Sequence, residues 1–134
     1  MAKLRVGING FGRIGRVLFR AGFEHLDILA INSLDSIEGD AHLLKYDSAH
    51  GVFAGDVSTE GHNLIVNGKK IAVSKTRNPA EVPWKDLGVD MVLECTGAFK
   101  DKSEFMAHIQ AGAKRVLVSG PARSEEHTSE LQSH

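Results

Sequence analysis

The sequence predicts an α/β fold, a doubly wound parallel sheet with an inserted antiparallel hairpin. Short apolar runs of strand length alternate along the chain with segments of helical periodicity, which is the pattern of a parallel sheet. One strand near the N-terminus runs directly into a glycine-rich turn and a helix. The 134 residues, 42% hydrophobic and 25% charged, have the composition of one globular domain.

The first strand and the first helix are joined by the stretch 9–16, which reads NGFGRIGR. Before it, Leu4, Val6 and Ile8 alternate as in a strand. After it, apolar residues recur at helical spacing, namely Ile14, Val17, Leu18 and Ala21. The strand is therefore predicted to end at the N-terminus of a helix.

This turn has the chemistry of a phosphate site. The first amides of a helix have no intrahelical acceptor, and the helix dipole adds partial positive charge at the same place. In the G-x-G-x-x-G pattern, Gly10 permits the tight turn, Gly12 lets the backbone approach a pyrophosphate, and Gly15 lets helix and strand pack closely. Arg13 and Ile14 would offer amides to the anion. We therefore predict a Rossmann-type sheet that binds a dinucleotide here.

The middle of the chain continues the alternation and then interrupts it. Residues 26–32 form a mostly apolar run that suits a parallel strand and completes a βαβ unit. Ser36 stands where a helix N-cap is expected. Asn67 and Gly68 separate two β-rich runs and tolerate the positive φ angles of a type I′ turn, which predicts the inserted hairpin.

The last predicted elements return to the main sheet. Residues 88–95 contain a buried strand. Asp101 and Glu104 have the spacing of a capping box for the following helix, and Gly112 stands where a left-handed C-cap belongs. A final strand is predicted to close at Ser119.

Charge and composition exclude several classes of partner. The net charge is −1 without a basic run, which argues against nucleic acid and anionic membranes. No apolar segment approaches the ~20 residues of a membrane span, and no export signal precedes the first strand. The histidines His42, His50 and His108 lack partners at metal-ligand spacing, so no metal site is predicted. We expect a cytoplasmic protein.

The sequences of the turn and of five later stretches resemble those of the glyceraldehyde-3-phosphate dehydrogenases. The stretches are NGFGRIGR at 9–16, AIN at 30–32, HLLKYDSAHG at 42–51, NPAEVPW at 78–84, ECTG at 94–97 and GAKRVLVS at 112–119. The resemblance implies an NAD-dependent oxidoreductase of glycolysis that forms 1,3-bisphosphoglycerate as a cytoplasmic homotetramer. Erythrose-4-phosphate dehydrogenase shares much of this sequence, and the chain's resemblance to that enzyme is an alternative interpretation.

By this resemblance, the cofactor-binding residues lie at the carboxyl ends of four strands. Asn9 and the glycine turn hold ribose and pyrophosphate, Arg77 lies near the adenine, and the later residues line the nicotinamide side. For Thr96 and Ser119, each taken alone, ordinary turn chemistry is an equal alternative, and their joint position at strand tips favours the binding role. The implied set is Asn9, Gly10, Phe11, Gly12, Arg13, Ile14, Asn32, Ser33, Arg77, Thr96, Gly97 and Ser119.

The choice between NAD and NADP depends on the tip of the second strand. A carboxylate there bonds both ribose hydroxyls and repels a 2′-phosphate. NAD-dependent members of the resembled family mostly have Asp directly after the Asn, whereas this chain has Ser33. The stretch 33–39 contains Asp35 and Glu38 but no Arg or Lys that would hold a 2′-phosphate. We expect NAD to be preferred, with NADP tolerated more than in relatives with Asp.

No catalytic residue is predicted in this chain. The nucleophile of the resembled family belongs to a later SCTTN-type motif, whereas Cys95 ends an apolar strand and is expected to be structural. The resemblance therefore covers a Rossmann domain over 1–122, truncated before the catalytic domain. Residues 123–134 are almost without apolar side chains and resemble a translated sequencing adapter, which predicts a non-native or disordered tail. The printed chain is expected to be an inactive fragment or a non-catalytic NAD-binding module.

Overall fold

The computed structural model describes residues 3–46, 55–96, 102–123 and 126–132. Its elements are β1 (Arg5–Asn9), α1 (Arg13–Gly22), β2 (Asp27–Asn32), α2 (Ile37–Tyr46), β3 (Val57–Glu60), β4 (Asn63–Val66), β5 (Lys69–Ser74), a short 3-10 helix (Pro79–Glu81), β6 (Met91–Glu94), α3 (Lys102–Gln110), β7 (Arg115–Arg123) and β8 (Glu126–Gln132). None of the helices within these ranges combines the length and apolar character needed to cross a membrane.

The strands form one mixed sheet in the order β3-β4-β5-β2-β1-β6-β7-β8. β5, β2, β1, β6 and β7 run parallel, and antiparallel neighbours extend both ends. From β1 the chain builds outward through β2 to β5, and later returns to add β6 and β7 on the other side. This reversal opens a crevice at the carboxyl ends of β1 and β6. The predicted doubly wound α/β fold is confirmed.

The sheet separates two apolar clusters. The larger one includes Val6, Ile8, Phe19, Leu44, Met91 and Leu93. The smaller one surrounds Trp84, which is fully buried, and takes Val92 from β6. A Cβ on Gly7 would lie only 2.4 Å from Cζ3 of Trp84, so the indole packs directly against the backbone of β1. This contact fixes the face of the sheet on which Trp84 and α3 lie.

The inserted hairpin forms as predicted, and a further strand joins it. Asn67 has φ 51° and Gly68 has φ 83°, the two positive angles that a type I′ turn requires. The preceding strand β3, reading VSTE, pairs antiparallel with β4 and was not predicted. Its residues are mostly exposed, so it carries no hydrophobic pattern, and backbone pairing with the edge of β4 holds it in place.

The helix ends also agree with their predicted caps where the structure describes them. Gly39 N donates to Ser36 Oγ at 3.0 Å, which confirms Ser36 as the N-cap of α2. Gly112 has φ 113° and its amide donates to Ile109 O at 3.0 Å, closing α3. Asp101 lies outside the described residues.

The end of the chain differs from its prediction. The last strand does not close at Ser119, because β7 continues to Arg123. Residues 126–132 form β8, which pairs antiparallel with β7 instead of remaining irregular. The exposed edge of a parallel sheet offers a row of backbone donors and acceptors, and a polar segment can pair there without an apolar face. The non-native origin of residues 123–134 stays a prediction, because strand pairing does not show where the segment comes from.

Candidate functional site

Three buried polar residues stand side by side at the carboxyl edge of the sheet. Asn9 ends β1, and the strand register places it between Asn32 of β2 and Glu94 of β6. Asn9 Nδ2 donates to Glu94 Oε1 at 2.8 Å, and Asn32 Nδ2 donates to Asn9 Oδ1 at 2.7 Å. The tips of three strands are therefore tied into one polar row beside the crevice.

Asn32 extends this row to the end of β5. Its Oδ1 accepts hydrogen bonds from Ser74 Oγ and from Thr76 N, each at 3.0 Å, and its Nδ2 also donates to Thr76 O at 2.9 Å. Thr76 is thus anchored to the tip of β2. Arg77, the exposed residue predicted near the adenine, follows it directly and lies at the same edge of the sheet.

The fold requires glycine at two of the three glycine positions of the turn, and for different structural reasons. Gly10 has φ 94°, and a Cβ there would lie 2.9 Å from Thr96 N. A Cβ on Gly15 would lie 2.3 Å from Gly10 O, so the helix can approach the strand only without a side chain there. At Gly12, in contrast, a Cβ would meet no atom within 4 Å. The fold does not require a glycine at position 12, which leaves space beside the turn for a ligand.

The N-terminus of α1 faces this space with positive polarity. The helix begins at Arg13 with Gly12 as its N-cap, and no side chain caps it. Its first turn contains no acidic residue that would neutralise the dipole. The first intrahelical bond runs from Arg16 N to Gly12 O, so the amides of Arg13 and Ile14 precede it. This arrangement suits a phosphate group.

Glu94 is the centre of a buried network behind Asn9. Its Oε1 lies 2.7 Å from Nε2 of His108, and Nδ1 of the same imidazole accepts a hydrogen bond from Trp84 Nε1 at 3.1 Å. Because Nδ1 is an acceptor, we assign the neutral tautomer with its proton on Nε2, which donates to Glu94. The contact is a hydrogen bond to a carboxylate rather than an ion pair.

Four donors converge on the two oxygens of Glu94. Asn9 and His108 donate to Oε1, while the amide and the hydroxyl of Thr96 donate to Oε2 at 3.1 and 2.5 Å. Burial by itself raises the pKa of Glu94, but the hydrogen bonds from His108, Thr96 and Asn9 outweigh it and hold the pKa below its ordinary value. Glu94 is therefore an ionised carboxylate that positions Asn9 and Thr96.

Charged residues lie close to Ser33 at the tip of β2, although Ser33 itself is neutral. Ser33 is 4% exposed, and its Oγ donates to Asp40 Oδ1 at 3.0 Å and accepts from Asp35 N at 3.3 Å. Lys75 Nζ donates to the carbonyl of Asp35. The stretch 33–39 itself lacks a cation, but the fold brings one to it from the end of β5.

Phe11, Arg13 and Thr96 reach the site in different ways. Phe11 is 3% exposed and packs edge-on against Phe19, with ring centroids 5.7 Å apart, so its side chain belongs to the core and only its backbone borders the turn. Arg13 is exposed on the first residue of α1, and Thr96 is exposed at the tip of β6. These placements agree with a site at the crevice, and the binding roles stay predictions.

The two remaining predicted residues are Gly97 and Ser119. Gly97 lies outside the described residues. Ser119 lies within β7, where it pairs with Thr128 of β8, and it directly follows Val118, which pairs with Glu94 at the end of β6. The predicted end of this strand at Ser119 is wrong, because β7 continues to Arg123, while the binding role of Ser119 stays a prediction.

Glu94, Asp40 and Lys75 were not predicted as site residues. One signal pointed to Glu94: a single charged residue closes the otherwise apolar run of β6, and a buried charge needs partners. Asp40 and Lys75 carry no local signal, since they resemble ordinary surface charges in a helix and after a strand. Among the described residues, no group of three or more His, Cys, Asp or Glu side chains could hold a metal ion.

Cys95 is 7% exposed at the end of β6. Burial, with a smaller contribution from the charge of Glu94, raises the pKa of its thiol from 9.0 to about 12. Because the thiolate is the reactive species, we expect iodoacetamide to modify the folded chain about a thousandfold more slowly than the urea-unfolded chain at the same pH. Mass spectrometry of timed samples measures both rates. Similar rates would contradict the structural role of Cys95.

The fold and the site together define a class of protein. A reversal of strand order, a glycine turn with open space at Gly12, and polar strand tips make a dinucleotide-binding domain of the doubly wound α/β type. Residues 4–102 match the family model described as "Glyceraldehyde 3-phosphate dehydrogenase, NAD binding domain". The chain belongs to this family.

Individual relatives agree with the family model. The chain is similar to glyceraldehyde-3-phosphate dehydrogenase of Pseudomonas aeruginosa, with 52% identity over 130 residues that cover 93% of this chain and 39% of the relative. For the protein of the same name from Zymomonas mobilis, identity is 50%, covering 91% and 37%. For the protein of the same name from Geobacillus stearothermophilus, identity is 49% over residues that cover 93% of this chain and 38% of the relative. The chain spans little more than a third of the length of these curated relatives.

Proposed function

We propose that this chain is the NAD-binding part of a phosphorylating glyceraldehyde-3-phosphate dehydrogenase that works in glycolysis in the cytoplasm. The names of the relatives support the substrate, and the homotetramer is proposed from the resemblance. The observation that carries the proposal is Gly12, whose missing side chain the fold does not need, at the N-terminus of a helix without an acidic first turn.

Different residues of the chain contact different parts of NAD in this proposal. The amides from Gly12 to Ile14 hold the pyrophosphate, and the row of Asn9 and Asn32 lines the side where the strand order reverses. Thr96, anchored to Glu94, borders the nicotinamide side. The nicotinamide ring supplies hydride acceptance when it is bound, and this chain orients it.

We expect the 134-residue chain to bind NAD without catalysing the reaction. Its single cysteine, Cys95, is buried with a raised pKa, which is the opposite of what a nucleophile needs. NAD is the preferred cofactor in this proposal, and NADP is tolerated because the tip of β2 ends in Ser33 instead of a carboxylate.

The binding test uses Gly12→Ala. The backbone angle of Gly12, φ −80°, is open to any residue, so the variant should fold normally. A methyl group there would occupy the place where the pyrophosphate approaches the backbone, and we expect NADH affinity to fall about tenfold or more. Energy transfer from Trp84, the single tryptophan, to NADH measures binding, and circular dichroism measures folding.

Glu24→Ala is the matched control for Gly12→Ala. Glu24 is exposed just beyond the other end of α1, so its removal should leave NADH affinity unchanged. If the folded wild-type chain shows no saturable binding of NADH, the proposed function of this chain is wrong. If Gly12→Ala binds as well as wild type, the pyrophosphate does not lie at this turn.

A further inference from the structure

The tip of β2 contains a carboxyl group that sequence order does not place there. Ser33 stands at the strand tip, but its hydroxyl is turned inward and donates to Asp40 Oδ1 at 3.0 Å. Asp40 belongs to α2 and is fully buried. The residue after Asn32 is therefore neutral, while a carboxyl group lies directly behind it.

Asp40 is incompletely satisfied in the described part of the chain. Its Oδ2 is buried and has no hydrogen-bond partner there. Burial raises the pKa of Asp40, and the charge of Asp35 acts in the same direction, whereas the hydrogen bond from Ser33 and the charges of Lys75 and Arg16 lower it. A protein rarely keeps such a group unless it has a role, because an unpartnered buried carboxyl oxygen destabilises the fold.

Two cations share this corner of the site. Lys75 lies after β5 and its Nζ donates to the carbonyl of Asp35, which fixes the ammonium group beside the tip of β2. Arg16 lies in α1, and its Nη1 donates to Phe11 O within the glycine turn at 3.0 Å. Without a counter-charge, these cations would make the ribose end of the site attractive to an additional phosphate.

We propose that Asp40 is the residue that sets the preference for NAD over NADP, by balancing Lys75 and Arg16 behind the tip of β2. This inference rests on the proposed function, since it assumes that the ribose of the dinucleotide lies at the tip of β2. In this arrangement Asp40 replaces the carboxylate that usually ends the second strand. A 2′-phosphate bound at Ser33 would then gain little attraction from Lys75 and Arg16, because the negative charge of Asp40 offsets their positive charges.

The test compares the dissociation constants of NAD and NADP for wild type and for Asp40→Asn. The variant removes the negative charge and leaves both cations, so we expect the ratio of the two constants to shift about tenfold in favour of NADP. Adding Lys75→Met to Asp40→Asn should reverse most of the shift. The ratio separates specificity from stability, because a purely structural defect weakens both cofactors alike.

Glu38→Gln is the matched control, because Glu38 is an exposed acid in the first turn of the same helix. The ratio should stay within about twofold of wild type if the effect belongs to Asp40 rather than to net charge. If Asp40→Asn does not fold, Asp40→Leu takes its place, since an apolar residue of similar volume is often tolerated at a buried charge.

The outcomes separate the two ideas. A shift towards NADP in Asp40→Asn or Asp40→Leu, with none in Glu38→Gln, supports the inference. An unchanged ratio in a variant that still binds NAD overturns the role of Asp40 and leaves the proposed function intact. A wild-type chain that is folded but binds neither dinucleotide overturns both.

Discussion

Gly15→Ala is expected to destabilise the fold by about 3 kcal/mol and to abolish measurable binding of NADH. The new Cβ would lie 2.3 Å from Gly10 O and 3.3 Å from Gly10 C, and backbone atoms cannot move aside as a flexible side chain can. The helix would have to separate from the tip of β1. Alanine usually gains about 1 kcal/mol over glycine inside a helix, and this clash exceeds that gain.

Gly22→Ala provides the control in the same helix. A Cβ at Gly22 would meet Leu26 Cδ1 at 2.8 Å, the far end of a side chain that can change rotamer. We expect its free energy of unfolding to differ from wild type by less than about 1 kcal/mol. Urea titration followed by Trp84 fluorescence measures both variants. Equal effects of the two substitutions would contradict the close approach at Gly15.

Glu94→Gln is expected to lower the free energy of unfolding by about 3 kcal/mol and to weaken NADH binding. A glutamine has one acceptor oxygen, so it cannot satisfy the donors that face both oxygens of Glu94. His108 cannot switch its proton to Nδ1, because that atom accepts the Trp84 bond. At least one buried donor therefore loses its partner.

The matched control for this change is Glu81→Gln. Glu81 is exposed, and its bonds to Thr76 and Asn78 are 3.4 Å long, so the change should cost less than about 0.5 kcal/mol. Urea titration at pH 7 gives both values. A small effect of Glu94→Gln would mean that the network contributes little to the tips of β1 and β6.

The network also predicts a pH dependence. The pKa of Glu94 is lower in the folded chain than its ordinary value of 4.5. The ionised carboxylate therefore stabilises the fold at pH values above 4.5, and this contribution is lost as the pH falls through the folded-state pKa. The raised pKa of Asp40 acts with the opposite sign. The difference between wild type and Glu94→Gln isolates Glu94, and it should shrink below pH 4.5.

Local rules explain which parts of the fold could be predicted. The turn from β1 into α1, the type I′ turn at Asn67 and Gly68, and the cap at Ser36 each depend on residues within a few positions of one another. β3 and β8 escaped prediction because neither has an apolar face, and backbone pairing alone defines them.

The candidate site divides in the same way. The glycine turn was readable from its spacing, since backbone conformation and helix polarity are encoded locally. Glu94 was visible only as a charge at the end of an apolar strand. Its partners Asn9 and His108 are distant in sequence, and only the register and the packing of α3 bring them to it.

The sequence by itself determined the family, the alternation of strands and helices in the parallel part of the sheet, and the chemistry of the glycine turn, because these depend on residue identity and on short-range periodicity. The tertiary structure alone decided which charges meet at the tip of β2. Lys75 and Asp40 reach Ser33 and Asp35 from different elements, and neither was predicted to belong to the site. The physical reason is that electrostatic contacts depend on distance in space, which the order of strands in the sheet sets.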